Sequence, residues 1–223
     1  MPKKHFSVFQ DIAGDSPVGG FLRLKYQRLP EAGLPEGLYN PAQEKAIEAF
    51  KDAIAQKDLI LDIGCGKGMF LVERAKQRKD AMCIGFETKL SFCIKTLERA
   101  KRHNVLNCLC VYGDARLTIP LLIPEESASE VYILFPDPWW KKRHAERRFG
   151  ARTKAIIASV MKKGGMLVIK SDVAGYVEEL RRVFLEGGVF EPCDVPKDLP
   201  RSNREKKVLD LGEKVFEIAL KRR

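Results

Sequence analysis

From Asp58 onward, short apolar runs alternate with amphipathic stretches of ten to fifteen residues, and few architectures satisfy that alternation. Strands that are apolar on both faces must be covered on both, and a parallel neighbour is reached through a crossover of about a dozen residues, which a helix supplies. The spacing predicts strands over 59–63, 81–86, 107–112, 131–135 and 166–170, with helices over 69–78, 89–103, 152–162 and 173–186 between or after them. After Gly187 and Gly188 the pattern changes to two strand-like runs, 189–195 and 214–219, expected as a hairpin-like pair at the end of the sheet. The expected fold is therefore α/β and Rossmann-like: a mostly parallel seven-stranded sheet with helices on both faces.

A chain of 223 residues suits one such domain, placed over 39–223. Residues 1–38 mix Gly14, Gly19, Gly20, Pro30 and Pro35 with Arg23, Lys25 and Arg28, and are expected as a basic, partly irregular arm. A helix start follows, with Asn40 as N-cap, Pro41 at the first helical position and Gln43 three residues after the cap. Its apolar face, Ile47, Phe50 and Ile54, is expected to cover the edge of the sheet.

Forty Lys and Arg against thirty Asp and Glu give a net charge of +10, which favours a polyanionic partner, a nucleic acid or an anionic membrane face. No run approaches the ~18 apolar residues of a membrane span and no secretory h-region precedes the domain, so a cytoplasmic location and no membrane are expected. The six cysteines form no CxxC pair and are read as reduced core residues. Cys108 and Cys110 share one strand face without a neighbouring His or second pair, so no metal is expected.

Asp62-Ile63-Gly64-Cys65-Gly66-Lys67-Gly68 ends the first buried strand and opens a helix. Gly64, Gly66 and Gly68 allow a ligand to approach backbone that a Cβ would shield. A dinucleotide requires GxGxxG; the GxGxG spacing, preceded by a carboxylate suited to the ammonium of a methionine moiety, favours S-adenosylmethionine instead. Glu87, nineteen residues past Gly68, stands where an acid accepts both ribose hydroxyls, and Asp114 stands where one accepts the adenine amino group. Any one of these acids could be a helix cap; three at successive strand ends are better read as a ligand site.

The next predicted strand delivers Phe135-Pro136-Asp137-Pro138-Trp139-Trp140-Lys141-Lys142-Arg143-His144 to the same edge, followed by Arg147 and Arg148. The prolines stiffen the turn around Asp137. Seven basic residues in fourteen, from Lys141 to Lys154, form either a solvated face or, beside two tryptophans, a phosphate-binding surface. His144 is read as a phosphate or backbone donor rather than a base. Ser202-Asn203-Arg204-Glu205 is either a capping box or, flanked by Arg201, Lys206 and Lys207, a loop closing on the target nucleotide, and the second reading is preferred.

The decamer at Phe135 resembles the signature of the bacterial tRNA (guanine-N7)-methyltransferases, the TrmB family. The Asp62 loop, Gly85-Phe86-Glu87, Gly113-Asp114-Ala115, Ser171-Asp172 and Ser202 to Glu205 stand in the family's order, so the resemblance covers 59–223. It implies a class I S-adenosylmethionine-dependent methyltransferase fold. It also implies donor contacts from Asp62, Glu87, Asp114 and Asp137, with Asp137 the catalytic residue, and tRNA contacts from Lys141, Asp172, Ser202, Asn203, Arg204 and Glu205. Lys142, Arg143, His144, Arg147 and Arg148 are further candidate RNA contacts. The implied reaction methylates N7 of the variable-loop guanine at tRNA position 46, releasing S-adenosylhomocysteine. The chain is expected to act without an obligatory protein partner, as monomer or homodimer. Competing readings are a methylase of an exocyclic base amine, a noncatalytic RNA-binding module that keeps a relic donor site, and a small-molecule methyltransferase, which would leave the basic run unexplained.

Overall fold

The computed structural model describes residues 21–23, 41–137 and 149–223. The remainder of the arm, Asn40, and Pro138, Trp139, Trp140, Lys141, Lys142, Arg143, His144, Arg147 and Arg148 lie outside the described residues.

The elements run β1 (Phe21–Arg23), α1 (Pro41–Ile54), β2 (Asp58–Ile63), α2 (Met69–Gln77), β3 (Ala81–Glu87), α3 (Leu90–Arg102), β4 (Cys108–Tyr112) and α4 (Ala115–Leu122). They continue through β5 (Ala128–Leu134), α5 (Ala151–Val160), β6 (Met161–Ser171), α6 (Ala174–Leu185), β7 (Phe190–Cys193), α7 (Asn203–Asp210) and β8 (Phe216–Arg222). The sheet order is β1-β4-β3-β2-β5-β6-β8-β7. Strands β1 to β6 pair in parallel, and β8 lies antiparallel between β6 and β7. The seven expected strands are thus β2 to β8, with β7 and β8 the expected terminal pair. The eighth, β1, comes from within the basic arm and adds to β4.

Alternation along each strand divides the core. Leu59, Leu61 and Ile63 of β2 face one side, packed with Ile47 and Phe50 of α1, Ile119 and Leu122 of α4, Ile157 of α5 and Leu180 and Phe184 of α6. Ile60 faces the other, with Phe70 and Leu71 of α2 and Ala100 of α3. There Phe70 meets Tyr132 edge-on, ring centroids 4.5 Å apart. Helix α1 therefore covers a face of the sheet rather than its edge, because Ile47, Phe50 and Ile54 are all drawn into the first core.

Three stretches differ from expectation. Helix α4 is absent from the sequence pattern, since Pro120 reads as a breaker; lying in the second turn, it gives up one hydrogen bond while Ile119 and Leu122 are buried. Helix α5 ends at Val160, before the expected 162, and β6 begins at Met161. The register with β5 jumps from Met161 to Met166, and within that bulge Lys162 reaches Asp58 at 2.7 Å. Helix α7 replaces the loop expected around Ser202.

Toward the amino-terminal ends of the strands lies a buried polar network. The Glu130 carboxylate accepts from Arg74 Nε (3.0 Å) and Nη2 (2.9 Å), from the Tyr132 hydroxyl (2.6 Å) and from Arg78. Arg78 also pairs with Asp58 at 3.0 Å, so α2 is clamped to β2 and β5 at the end of the sheet opposite the site described next.

Candidate active site

The chain runs outward from β2 through β3 to β4, then returns to the other side of β2 with β5 and β6. In such a sheet the crevice opens beyond the carboxyl ends of the strands at this switch point. Five acids stand there: Asp62 on β2, Glu87 ending β3, Asp114 two residues past β4, Asp137 three past β5 and Asp172 directly after β6. The topology therefore brings together the four acids expected to hold the donor, and adds Asp172.

Between Asp62 and α2 the chain turns through Gly64, Gly66 and Gly68, with φ of 81°, 59° and 68°. A Cβ at Gly64 or Gly66 would meet nothing within 4 Å, so the backbone there is left bare. Gly68 acts differently, because a Cβ there would lie 2.4 Å from Thr96 Cγ2, and its absence seats the turn directly on α3. Cys65 fills the place of the missing side chain at Gly85, whose Cβ would be 2.6 Å from Cys65 Sγ.

Asp62 is 2% exposed, and its Oδ2 finds no hydrogen-bond partner among the described residues. Burial, and secondarily the charge of Glu87, push its carboxyl up to about 8. A buried acid with an unsatisfied oxygen beside a bare glycine turn is costly by itself and becomes favourable when an ammonium arrives. These residues therefore fit the methionine end of S-adenosylmethionine.

Glu87 is buried and braces the same turn: Oε2 accepts from the Gly66 N–H at 3.0 Å and Oε1 from the Lys89 N–H at 2.8 Å. A carboxylate has about four acceptor sites, so these two bonds leave capacity for further donors. Asp114 caps α4, accepting from Arg116 N and Nε at 3.0 Å each, and also pairs with the Arg116 guanidinium. The cap reading set aside at the sequence level thus describes Asp114. Asp137 is exposed, carried by a turn in which Phe135 adopts φ 54° and donates its N–H to the Lys170 carbonyl at 2.7 Å. A bulky residue in the left-handed region just before proline is strained, and such strain concentrates at sites where a turn must present a particular group.

On the far side of β6, Ser202 to Glu205 forms the capping box opening α7: the Glu205 N–H donates to Ser202 Oγ at 3.1 Å, and the Ser202 N–H to Glu205 Oε2 at 3.3 Å. The nucleotide-closing loop is corrected to a helix start, because Glu205 and Val208 are buried and hold that turn against the sheet. Glu205 Oε1 lies 3.0 Å from Lys170 Nζ, and Arg204 pairs with Asp172. Of the residues expected to touch RNA here, Asn203 and Arg204 remain accessible, whereas Glu205 is turned inward. Between α2 and α7 runs a groove of about 500 Å³ lined by Met69, Glu73, Lys76, Gln77, Pro200, Arg201 and Lys206. Lys76 and the groove itself escape the sequence reading, since its walls lie far apart in the chain.

The family described as "Putative methyltransferase" matches residues 56–218. A tRNA (guanine-N(7)-)-methyltransferase of Anaeromyxobacter dehalogenans is 33% identical over 170 residues, covering 73% of this chain and 84% of its own length. This chain belongs to the tRNA (guanine-N7)-methyltransferase family. A second member, from Mycobacterium avium, is 32% identical over 206 residues, covering 88% of this chain and 80% of its own. The fold of the methyltransferase recurs in the solved structure of the 16S rRNA methyltransferase KamB, with a TM-score of 0.55 at 15% identity over 83% of this chain and 95% of that one. The enzyme is a Rossmann-like S-adenosylmethionine-dependent methyltransferase, and no described helix is long and apolar enough to cross a membrane.

Proposed function

We propose that this methyltransferase transfers the donor methyl group to N7 of guanine in tRNA, at the variable-loop position 46. The observation that carries the reading is the placement of the buried Asp62 oxygen, without a hydrogen-bond partner among the described residues, and the exposed Asp137 carboxylate at adjoining strand ends, one suited to a cationic donor and the other to a base. The names of the relatives and the +10 charge support tRNA as the carrier of that base.

Bound S-adenosylmethionine supplies an electrophilic sulfonium methyl. Asp62 takes the ammonium, Gly64, Gly66 and Gly68 let the donor lie against backbone, and Glu87 accepts the ribose hydroxyls. Asp114, anchored as a cap, offers its remaining acceptor capacity to the adenine amino group. Guanine N7 has an in-plane lone pair and no proton at neutral pH, so the protein need not abstract one. Transfer would form the N7–C bond as the C–S bond of the donor breaks, with that bond's electron pair left on sulfur. Asp137 accepts from the guanine N1–H and amino edge, aligns N7 and steadies the positive charge that develops on the ring. Lys141, Asp172, Ser202, Asn203 and Arg204 are assigned to the tRNA side, with Lys142, Arg143, His144, Arg147 and Arg148 as further candidate RNA contacts, whereas the buried Glu205 supports them from within the fold. Donors on that side must reach O6 or phosphate, since a hydrogen bond to N7 would occupy the attacking lone pair.

The raised Asp62 carboxyl makes donor binding a protonic event. Its folded value lies above the ordinary 3.8, so the donor-free protein holds this proton through neutrality and its stability falls as pH rises between about 4 and about 8. An arriving ammonium favours the carboxylate. Calorimetric titration at pH 7 in buffers of different ionisation enthalpy should show net proton release on donor binding, with affinity rising with pH through the range below about 8. Asp62→Asn should lose both effects; an unchanged proton count in that variant contradicts the assignment.

The α2–α7 groove extends the basic surface away from the crevice, with Lys76, Arg201 and Lys206 against Glu73, itself held by Lys76 at 2.7 Å. We assign it to the tRNA backbone. Replacing Arg201 and Lys206 by alanine should flatten the dependence of log affinity on log salt by roughly 0.7 to 0.9 for each phosphate no longer neutralised, leaving kcat intact. An unchanged slope in filter-binding titrations returns the groove to a solvated face.

A further inference from the structure

We infer that Lys170 is a positioning residue for methyl transfer, its ammonium seating helix α7 beside the turn that carries Asp137. The inference rests on the tRNA reading above for what lies between those two segments.

Lys170 is the penultimate residue of β6 and its side chain is 8% exposed. Nζ lies 3.0 Å from Glu205 Oε1 and 3.0 Å from Glu217 Oε2, joining β6 to α7 and to β8. Glu205 is as buried as Lys170, whereas Glu217 is 41% exposed. Burial pulls the Lys170 ammonium pKa down, but Glu217 and Glu205 outweigh that and leave it raised. A methionine or leucine would fill the same space without the desolvation cost of an ion pair. What the pair adds is register, since an ammonium between two carboxylates fixes which turn of α7 sits at this point of the sheet.

The consequences spread to both sides of the crevice. Glu205 is the acid of the capping box, so through it Lys170 holds Ser202 and the first turn of α7, where Asn203 and Arg204 stand. Arg204 closes the contact by pairing with Asp172, two residues beyond Lys170. In the other direction, the Lys170 carbonyl accepts the Phe135 N–H that turns β5 into Pro136 and Asp137. One residue thus meets the catalytic turn through its backbone and the RNA-side helix through its side chain. Glu205 does its work as an anchor within the protein, and its partner is Lys170 rather than the nucleotide.

Removing the ammonium alone strands the Glu205 charge, so Lys170→Met alone would confound anchoring with unfolding. The deciding variant is Lys170→Met/Glu205→Gln, which leaves no uncompensated buried charge, with Lys170→Arg as the conservative control. The double variant should melt within a few degrees of wild type and bind donor with unchanged Kd. Its backbone amides over 203–210 should exchange with deuterium at least about tenfold faster, and KM for tRNA should rise about tenfold or more with kcat changed less. Lys170→Arg should recover most of both. Unchanged exchange in α7, or faster exchange with an unchanged KM, overturns the inference. Should wild type bind donor yet leave tRNA unmethylated, the tRNA reading fails and the positioning role falls with it, while the exchange measurement still decides whether Lys170 seats α7.

Discussion

Asp137→Ala should lower kcat by about 10²-fold to 10³-fold while the melting temperature and the donor Kd stay near their wild-type values. The size follows from the assigned role: a single preorganised group facing charge that develops in the transition state is worth about 3 to 4 kcal/mol. The selectivity follows from its setting. Asp137 is exposed, on a turn held by the Phe135 N–H to the Lys170 carbonyl and stiffened by Pro136, and neither depends on the carboxylate. Truncation of such a side chain changes stability by less than about 0.5 kcal/mol. Asp137→Asn separates the two components, keeping an acceptor for the guanine edge while removing the charge that steadies the methylated ring. Steady-state kinetics beside a thermal melt decide the matter: near-normal kcat in a folded Asp137→Ala protein contradicts the role.

Glu130→Gln should destabilise the fold by about 3 to 5 kcal/mol, the range for breaking a buried ion pair by removing one partner. Arg74 and Glu130 side chains are each 8% exposed, and the carboxylate satisfies two nitrogens of Arg74, the Tyr132 hydroxyl and Arg78. An amide oxygen retains some of those hydrogen bonds, but the Arg74 charge loses its buried counterion and keeps only the exposed Asp198 at 3.9 Å. For a chain of this length that corresponds to a fall in melting temperature of roughly 6 to 20 °C. The combination Arg74→Met/Glu130→Gln should recover part of the loss. Because the network sits at the amino-terminal ends of the strands, kcat below the transition should be unaffected; a stability change under about 1 kcal/mol by urea denaturation would show that the pair is better hydrated than its burial indicates.

The contrast between these two residues mirrors what the sequence makes legible. The alternation that defines β2 to β6 and their crossover helices survives in the structure because strands buried on both faces leave a strong pattern, and the strand-end acids follow from it. Asp62, Glu87 and Asp137 are found that way. Helix α4 is hidden by Pro120, and α7 by Arg204, Lys206 and Lys207, whose charges obscure the buried Glu205 and Val208. The capping box at Ser202 is visible in the chain; its closure through Glu205 onto Lys170, 35 residues away, is not. Strand β1 is three residues long, too short for any periodicity to show. The burial that raises Asp62 and the α2–α7 groove are likewise products of packing between distant segments.

That the strand-end acids present a methyl donor to the ring nitrogen of a guanine in RNA can be checked in a single assay. Labelled methyl is transferred from S-adenosylmethionine to unmodified tRNA, and the RNA is then digested to nucleosides and the modified position mapped. The expected product is 7-methylguanosine at the variable-loop guanine, at a position where borohydride and aniline then cleave the chain. Label in methyladenosine or on an exocyclic amine, or donor binding without any transfer to tRNA, would contradict that reading.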